Sequence, residues 1–380
     1  MADAEPSRWP CTQCGANLTY APGQTELRCG FCGHVQPIPD VPDARERPFG
    51  EHDLATALRD DLPGTAMEDV RTTPCPNCGA LVEFQGADHA TRCPFCATSV
   101  VVGTGTSRLI KPQAVIPFQL TEPQARAAMT GWLGSLWFAP NSLVEYARKG
   151  RAMNGLYVPY WTFDAATRSR YAGERGTYYY ETRMVTVQVN GRAERRPQQV
   201  RLTRWAHVSG WVTRAFDDVL VLASTSLQRA YTEALEPWDL GALAAYRPDY
   251  LAGFTAEGYT VPLRDGQAHA HQIMARVIAG DVARDIGGDE QRITRVDTDH
   301  SVETFKHILL PIWMAAYKYN GRTFRFVVNG QTGRVQGERP YSAWKIAFAV
   351  LLALLVAAGA FTLNEMQQGY GSDFRLEYGY

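Results

Sequence analysis

The sequence predicts an α+β protein: two N-terminal four-cysteine zinc ribbons, a β-rich mixed middle domain, and one C-terminal transmembrane helix. Three observations carry this. Eight cysteines fall within the first 96 residues, strand-like and helix-like patterns alternate from about 105 to 340, and an uncharged apolar run lies near the C-terminus. The domain boundaries read as 1–39 for the first ribbon, 40–73 for an acidic, Pro-rich linker and 74–104 for the second ribbon. Residues 105–340 form an α+β unit with an antiparallel sheet, 341–363 the transmembrane helix and 364–380 an extracytoplasmic tail.

The cysteines form two blocks, Cys11-x2-Cys14 with Cys29-x2-Cys32, and Cys75-x2-Cys78 with Cys93-x2-Cys96, repeating at an offset of 64 residues. In each block 14 residues separate the inner pair, enough for a short hairpin that brings the second pair back to the first. A structural Zn²⁺ takes four thiolates in a closed tetrahedral shell, so all eight cysteines are assigned as ligands of two structural Zn²⁺ ions. Glycine follows Cys14, Cys32 and Cys78, whereas Ala97 follows Cys96. Modules of about 30 residues cannot bury a self-sufficient core, so the metal supplies folding free energy. His34 reads as a surface neighbour of a site already supplied with four sulfurs. The intervening run 37–73 is rich in Pro and acidic residues, with one short amphipathic piece near 54–58; the arrangement reads as two modules on a string.

In the middle region, 121–137 opens with a capping box, Thr121-x-x-Gln124, and sets Met129, Trp132, Leu133 and Leu136 on one helical face. The run 156–163 (LYVPYWTF) is strand-like, and the β-rich segments 177–189 and 198–209 flank Asn190-Gly191, a hairpin dipeptide followed by a longer polar loop. Another short apolar run is 219–223, and 227–246 reads as helix broken at Pro237. The stretch 268–286 places Ile273, Met274, Val277, Ile278 and Val282 on a core-facing stripe. Strands follow at 309–319 and 323–328, the latter turning at Asn329-Gly330, and a short echo links VPYW (158–161) with LPIW (310–313).

The 18-residue stretch 346–363 (IAFAVLLALLVAAGAFTL) carries no charge and meets the length needed to cross about 30 Å of hydrocarbon. Trp344 stands at its edge, Arg334, Arg339 and Lys345 precede it, and the tail holds Glu365, Asp373 and Glu377 against Arg375. The positive-inside rule then puts the N-terminal part in the cytoplasm of a single-pass inner-membrane protein and the C-terminus outside. MADAEPSRWP has no apolar core, so no signal peptide is expected, and reducing cytosol disfavours disulfides.

The chain of 380 residues is 45% hydrophobic and 20% charged, which excludes disordered and fibrous classes. Its net charge is -1, but residues 1–110 hold 8 Lys+Arg against 14 Asp+Glu, which argues against nucleic acid as a partner of the front end. No GxxxxGK[ST], HExxH or GxSxG motif is present. His269 and His271 are spaced for different helix faces, Asp217-Asp218 reads as a turn or cap, and His207 beside Trp205 as a part-buried residue. The aromatics fit sheet packing and membrane proximity better than base stacking, since no Lys interleaves them.

Beyond the CxxCG ribbons, several segments carry a family resemblance: 156–164 (LYVPYWTFD), 216–221 (FDDVLV), 235–240 (LEPWDL), 250–254 (YLAGF), 306–313 (KHILLPIW), 328–333 (VNGQTG) and 337–340 (GERP). The chain resembles bacterial membrane-anchored proteins with TFIIB-type zinc ribbons, often labelled primosomal protein N′ (replication factor Y), a superfamily II helicase. The helicase label is unsupported here, because the sequence lacks the Walker motif that holds ATP. The resemblance implies partners similar to phage-shock-protein-A-like or band-7-like proteins in envelope stress. The leading expectation is a non-enzymatic membrane-tethered adaptor that recruits proteins. Its alternatives are a nucleic-acid-binding or helicase-associated protein, and an enzyme built around His207, Asp217 and Asp218.

Overall fold

The computed structural model describes residues 9–38, 50–83, 90–93, 95, 98–101, 106–138, 140, 153–189, 192–319, 322–338 and 341–369. The first ribbon is an antiparallel sheet of β1 (Leu18–Tyr20), β2 (Glu26–Cys29) and β3 (Val35–Pro37). There follow β4 (His52–Asp53), a one-turn α1 (Leu54–Ala57) whose first turn is capped by Asp53, and β5 (Met67–Pro74). The second ribbon contributes β6 (Leu81–Glu83), β7 (Ala90–Arg92) and β8 (Ser99–Val101), and β9 (Thr106–Ile110) returns to pair with β5. The body comprises β10 (Ala114–Val115), α2 (Glu122–Ser135), β11 (Asn154–Val189), β12 (Arg192–Leu222), α3 (Arg229–Glu233), β13 (Ala244–Ala245) and β14 (Thr255–Ala256). It continues through α4 (Leu263–Ile286), β15 (Glu290–Tyr319), β16 (Arg322–Asn329) and β17 (Val335–Gly337), and ends in α5 (Ala343–Gly369).

A nine-stranded mixed sheet organises the described residues, with β12-β11-β15-β10-β13 as its spine. Successive side chains on a strand point to opposite faces, and here both faces are apolar. Val115, Tyr157, Leu309 and Trp313 join the first ribbon's Leu18, Tyr20 and Leu27 in one core. Their immediate neighbours Ala114, Ile116, Leu156, Val158, Ile308 and Ile312 join the second ribbon's Val82, Phe95 and Val100 in another. The two ribbons therefore clamp opposite faces of the same sheet, which explains why LYVPYW reads as a continuous apolar run rather than an alternating one. The Tyr20 N–H donates to the Ala252 carbonyl at 2.9 Å, and the Gly258 N–H to that of Leu81 at 3.2 Å, tying each ribbon to the body.

This packing changes the reading of 40–73. Its described part is built into the fold: β4 pairs with β15 at the edge of the large sheet, Leu54 and Ala57 are buried, and β5 joins β6 and β9 in a separate three-stranded sheet. Composition suggests a tether because the exposed residues are polar, but the few apolar ones face inward at strand and helix spacing.

β11, β12 and β15 run for 36, 31 and 30 residues, several times an ordinary strand. At the level of Asp164 both neighbours of β11 bulge. Asp217 and Asp218 oppose Asp164 on β12, and Val302 and Glu303 oppose Ala165 on β15. Asp218 and Val302 take left-handed φ of 53° and 51°, accommodating the extra residue in each strand. Beyond the bulges the three strands continue as an arm, one face covered by α4 and the other open to solvent. The register pairs Val189 with Arg192, and the expected turn residues Asn190-Gly191 lie outside the described residues; the polar residues from Arg192 onward are strand instead of loop.

α2 begins at the expected capping box, and Met129 and Leu133 are buried. Residues 227–246 are less helical than their pattern suggests: helix is confined to α3 and a 3₁₀ turn at Leu240–Ala242, consistent with the helix-breaking constraint that Pro237 places on Glu236. The VPYW and LPIW segments lie on adjacent antiparallel strands, Val158 opposite Leu310. On α4 the buried stripe is Ala270, Met274, Ile278, Val282 and Ile286, whereas Val277 is 37% exposed and Ile273 only half-buried. Ile278→Ala should therefore cost about 2–5 kcal/mol in chemical denaturation of the detergent-solubilised chain, and Val277→Ala less than about 1 kcal/mol. Equal losses would reject the observed helix orientation.

Candidate metal centres

Three of the cysteine pairs are set by the same turn. The Cys11 N–H donates to the Ala16 carbonyl at 2.7 Å and the Gly15 N–H back to the Cys11 carbonyl at 2.8 Å; Cys29 with His34 and Gly33, and Cys75 with Ala80 and Gly79, repeat it. Gly15, Gly33 and Gly79 have φ of 73°, 74° and 75°, which is why glycine stands there. The turn points backbone N–H groups at sulfur: the Cys32 N–H lies 3.5 Å from Cys29 Sγ, and the Cys32 and Phe31 amides lower the Cys29 thiol to about 6, favouring the thiolate that a metal needs.

In the first cluster the sulfurs of Cys11, Cys14, Cys29 and Cys32 all lie within 4.8 Å of one another. Cys11–Cys32 and Cys14–Cys29 are 3.6 Å apart. A disulfide is about 2.05 Å, whereas the edge of a tetrahedron of thiolates about 2.3 Å from a central ion is roughly 3.8 Å. The donor set thus fits a thiophilic ion in fourfold coordination. In the second cluster Cys75, Cys78 and Cys93 meet the same proximity, with Cys78–Cys93 at 3.5 Å. Cys96, the remaining expected ligand, lies outside the described residues. His34 Nε2 is 3.1 Å from the Thr12 hydroxyl, at the margin of the first cluster.

The turn recurs once more without sulfur. The Asn329 N–H donates to the Arg334 carbonyl at 2.8 Å and the Gly333 N–H to that of Asn329 at 2.9 Å. The Asn329 side-chain oxygen accepts from the Gln331 and Thr332 amides at 2.8 and 2.9 Å, a neutral acceptor where the ribbons place a thiolate. The ribbons differ in one aromatic. Phe31, between Cys29 and Cys32, is 86% exposed, whereas Phe95, at the matching position 64 residues on, is 1% exposed in the core beneath the second ribbon.

Outside the ribbons, the bulges concentrate charge. Asp164, Asp217 and Asp218 bring their carboxylates together. The cation among them is the protein's own: Lys306 Nζ lies 2.8 Å from Asp218, 3.0 Å from Glu51 and 3.5 Å from Asp164. Burial alone would depress the ammonium, but the Asp218 carboxylate and its neighbours hold it above the ordinary lysine range. Burial pushes the Asp164 carboxyl up, and the Asp218 N–H donates to it. Sequence reading passed over Lys306 and Glu51, the first because it sits within an apolar strand, the second because it falls in the stretch read as linker.

His207 does not belong to this group. It lies ten positions from Asp217 on the same strand, roughly 30 Å away, and its side chain is 92% exposed on the open face of the arm, beside Glu174. The expectation of a part-buried histidine fails because no helix covers that face. His269 contacts Arg229, while His271 bonds Glu303 at 2.6 Å and stacks on His300 at 3.9 Å between ring centres. On the arm, Arg168 stacks on Trp211 (4.4 Å), Arg292 on Trp205 (3.8 Å) and Arg201 on Tyr178 (4.3 Å). Arginine therefore interleaves the aromatics where lysine is missing, a pattern visible only once cross-strand register is known.

Two outcomes follow. Lys306→Ala strands three carboxylates and should cost about 3–5 kcal/mol near neutral pH, with part of the loss recovered in acid, since burial already favours the protonated form of Asp164; an equal loss at neutral and acid pH would reject the coupling. His307 is buried between Trp161 and Tyr259, its Nδ1–H donating to the Ile110 carbonyl at 2.7 Å, and burial pushes it down to about 4. An unfolded histidine titrates near 6.5, so the unfolded chain takes its proton first and stability falls as pH drops from 6.5 towards 4. His307→Gln should flatten that part of the stability profile measured against wild type.

No protein-family model matches the chain, and no solved structure matches it. It is 25% identical over 347 residues to the uncharacterized protein YdjG of Bacillus subtilis (strain 168), a likeness covering 89% of this chain and 92% of that one.

Proposed function

We propose that this chain is a membrane-tethered zinc-ribbon adaptor, holding two structural Zn²⁺ ions and recruiting protein partners at the cytoplasmic face of the inner membrane. The observation that carries it is the exposed Phe31 on the turn between Cys29 and Cys32, together with a C-terminal helix none of whose described apolar residues is buried. The span 344–363 has mean hydropathy 2.6 and is 0% buried, which favours lipid over a protein core as its surroundings. Cys11, Cys14, Cys29 and Cys32 would hold one ion and Cys75, Cys78, Cys93 and Cys96 the other, each supplying fold stability and leaving no position for a reacting water.

A protein partner is favoured over nucleic acid by the charge balance of the arm's open face. Arg168, Arg170, Arg201, Arg292 and Arg295 are interspersed there with Glu174, Glu290, Asp297 and Asp299, whereas phosphate binding runs on unopposed cations. Arg, Trp and Tyr are also the residues that anchor protein interfaces. A non-enzymatic role agrees with the separation of His207 from Asp217 and with Lys306 neutralising the acidic cluster. The resemblance to TFIIB-type zinc-ribbon membrane proteins points to phage-shock-protein-A-like or band-7-like partners and to envelope stress, with the tail 364–380 outside the cytoplasm.

The test is metal analysis joined to affinity capture from solubilised membranes. Wild type should hold two zinc ions per chain and retain specific proteins. Phe31→Ala should keep both ions and lose those proteins, and Cys11→Ser should lose one ion and the same proteins. Undiminished capture by both variants would sink the adaptor reading.

A further inference from the structure

α2 is fixed to the body by Ala125, Met129 and Leu133, and Trp132 packs edge-on against Phe326 at 5.9 Å. The turn that follows α2 meets the start of α5: the Ser342 N–H donates to the Phe138 carbonyl at 2.8 Å. Trp137, Trp344, Lys345 and Phe348 line one groove of about 410 Å³ between the two elements. Trp137 is 76% exposed, Trp344 82%, Phe348 59% and Phe138 41%. Large apolar side chains so exposed, and continuous with a helix of membrane-spanning length, mark a surface made for something other than water.

Tryptophan concentrates at the boundary between headgroups and hydrocarbon, where its ring is buried and its N–H stays wet. Because Trp137 and Trp344 share one groove, whatever depth α5 gives Trp344 is imposed on Trp137 as well. We infer that the turn following α2, through Trp137 and Phe138, is a second membrane contact that seats in the phospholipid interface beside the first turn of α5. The body is then docked on the bilayer through a rigid helix end instead of hanging from the span alone. This rests on the membrane-spanning reading of α5, and the occupant is the lipid surface itself, because the patch is continuous with that span.

The test uses the full chain reconstituted in phosphatidylcholine–phosphatidylglycerol vesicles whose acyl chains are brominated near the headgroup, which quenches tryptophan fluorescence at that depth. Trp344→Phe and Trp137→Phe should each lower the quenched fraction by a similar amount, and Trp211→Phe, on the open face of the arm, should leave the quenched intensity unchanged. The replaced rings are largely exposed, so the fold is retained. If Trp344→Phe lowers quenching and Trp137→Phe does not, the second contact is wrong while the span stands. If neither lowers it, the span reading and the inference fall together.

Discussion

The structure depends on one constraint: a central sheet whose two faces are both apolar, each needing a cover. Leu156 and Tyr157 are neighbours in the chain and both are fully buried, one under each ribbon. A strand of that kind survives only between two layers, and here the layers are modules too small to fold on their own core. The cysteine clusters are thereby coupled to the body. Whatever holds the sulfur clusters together therefore also helps keep water off β11 and β15.

Charge is managed by the same geometry further along. Where the ribbons end, the bulges at Asp218 and Val302 turn the strands out into the arm, and the transition is stitched by Lys306 with Glu51, Asp164 and Asp218. A buried ammonium surrounded by carboxylates contributes little net stability over a well-packed apolar core, yet it tolerates few alternative arrangements, because any shift of register leaves a charge unpaired. We read it as fixing where the sandwich stops and the arm begins.

Much of this was legible in the residues. The cysteine spacing, the capping box at Thr121, the hairpin at Asn190-Gly191 and the C-terminal apolar run are local signals, and local signals survive in a single sequence. The coverage of both sheet faces was not legible, because continuous apolar runs look alike whichever layers bury them. The linker reading of 50–73 fails for a related reason: its contacts are non-local, Glu51 meeting Thr304 and Lys306 more than two hundred positions away and β5 meeting β9 beyond the second ribbon. The arginine–aromatic stacks depend on cross-strand register, which no linear pattern displays. Val277 falls outside the core because α4 buries a narrower stripe than its apolar residues suggest.

Phe31 and Phe95 occupy matching places in a repeated module and meet opposite surroundings. One is wedged in a close-packed interior, so its volume is dictated by neighbours in its own chain; the other answers to nothing within the molecule. Both copies cover a face of the sheet, but at this one position the second is held to a fixed volume by the interior while the first is free of any packing constraint.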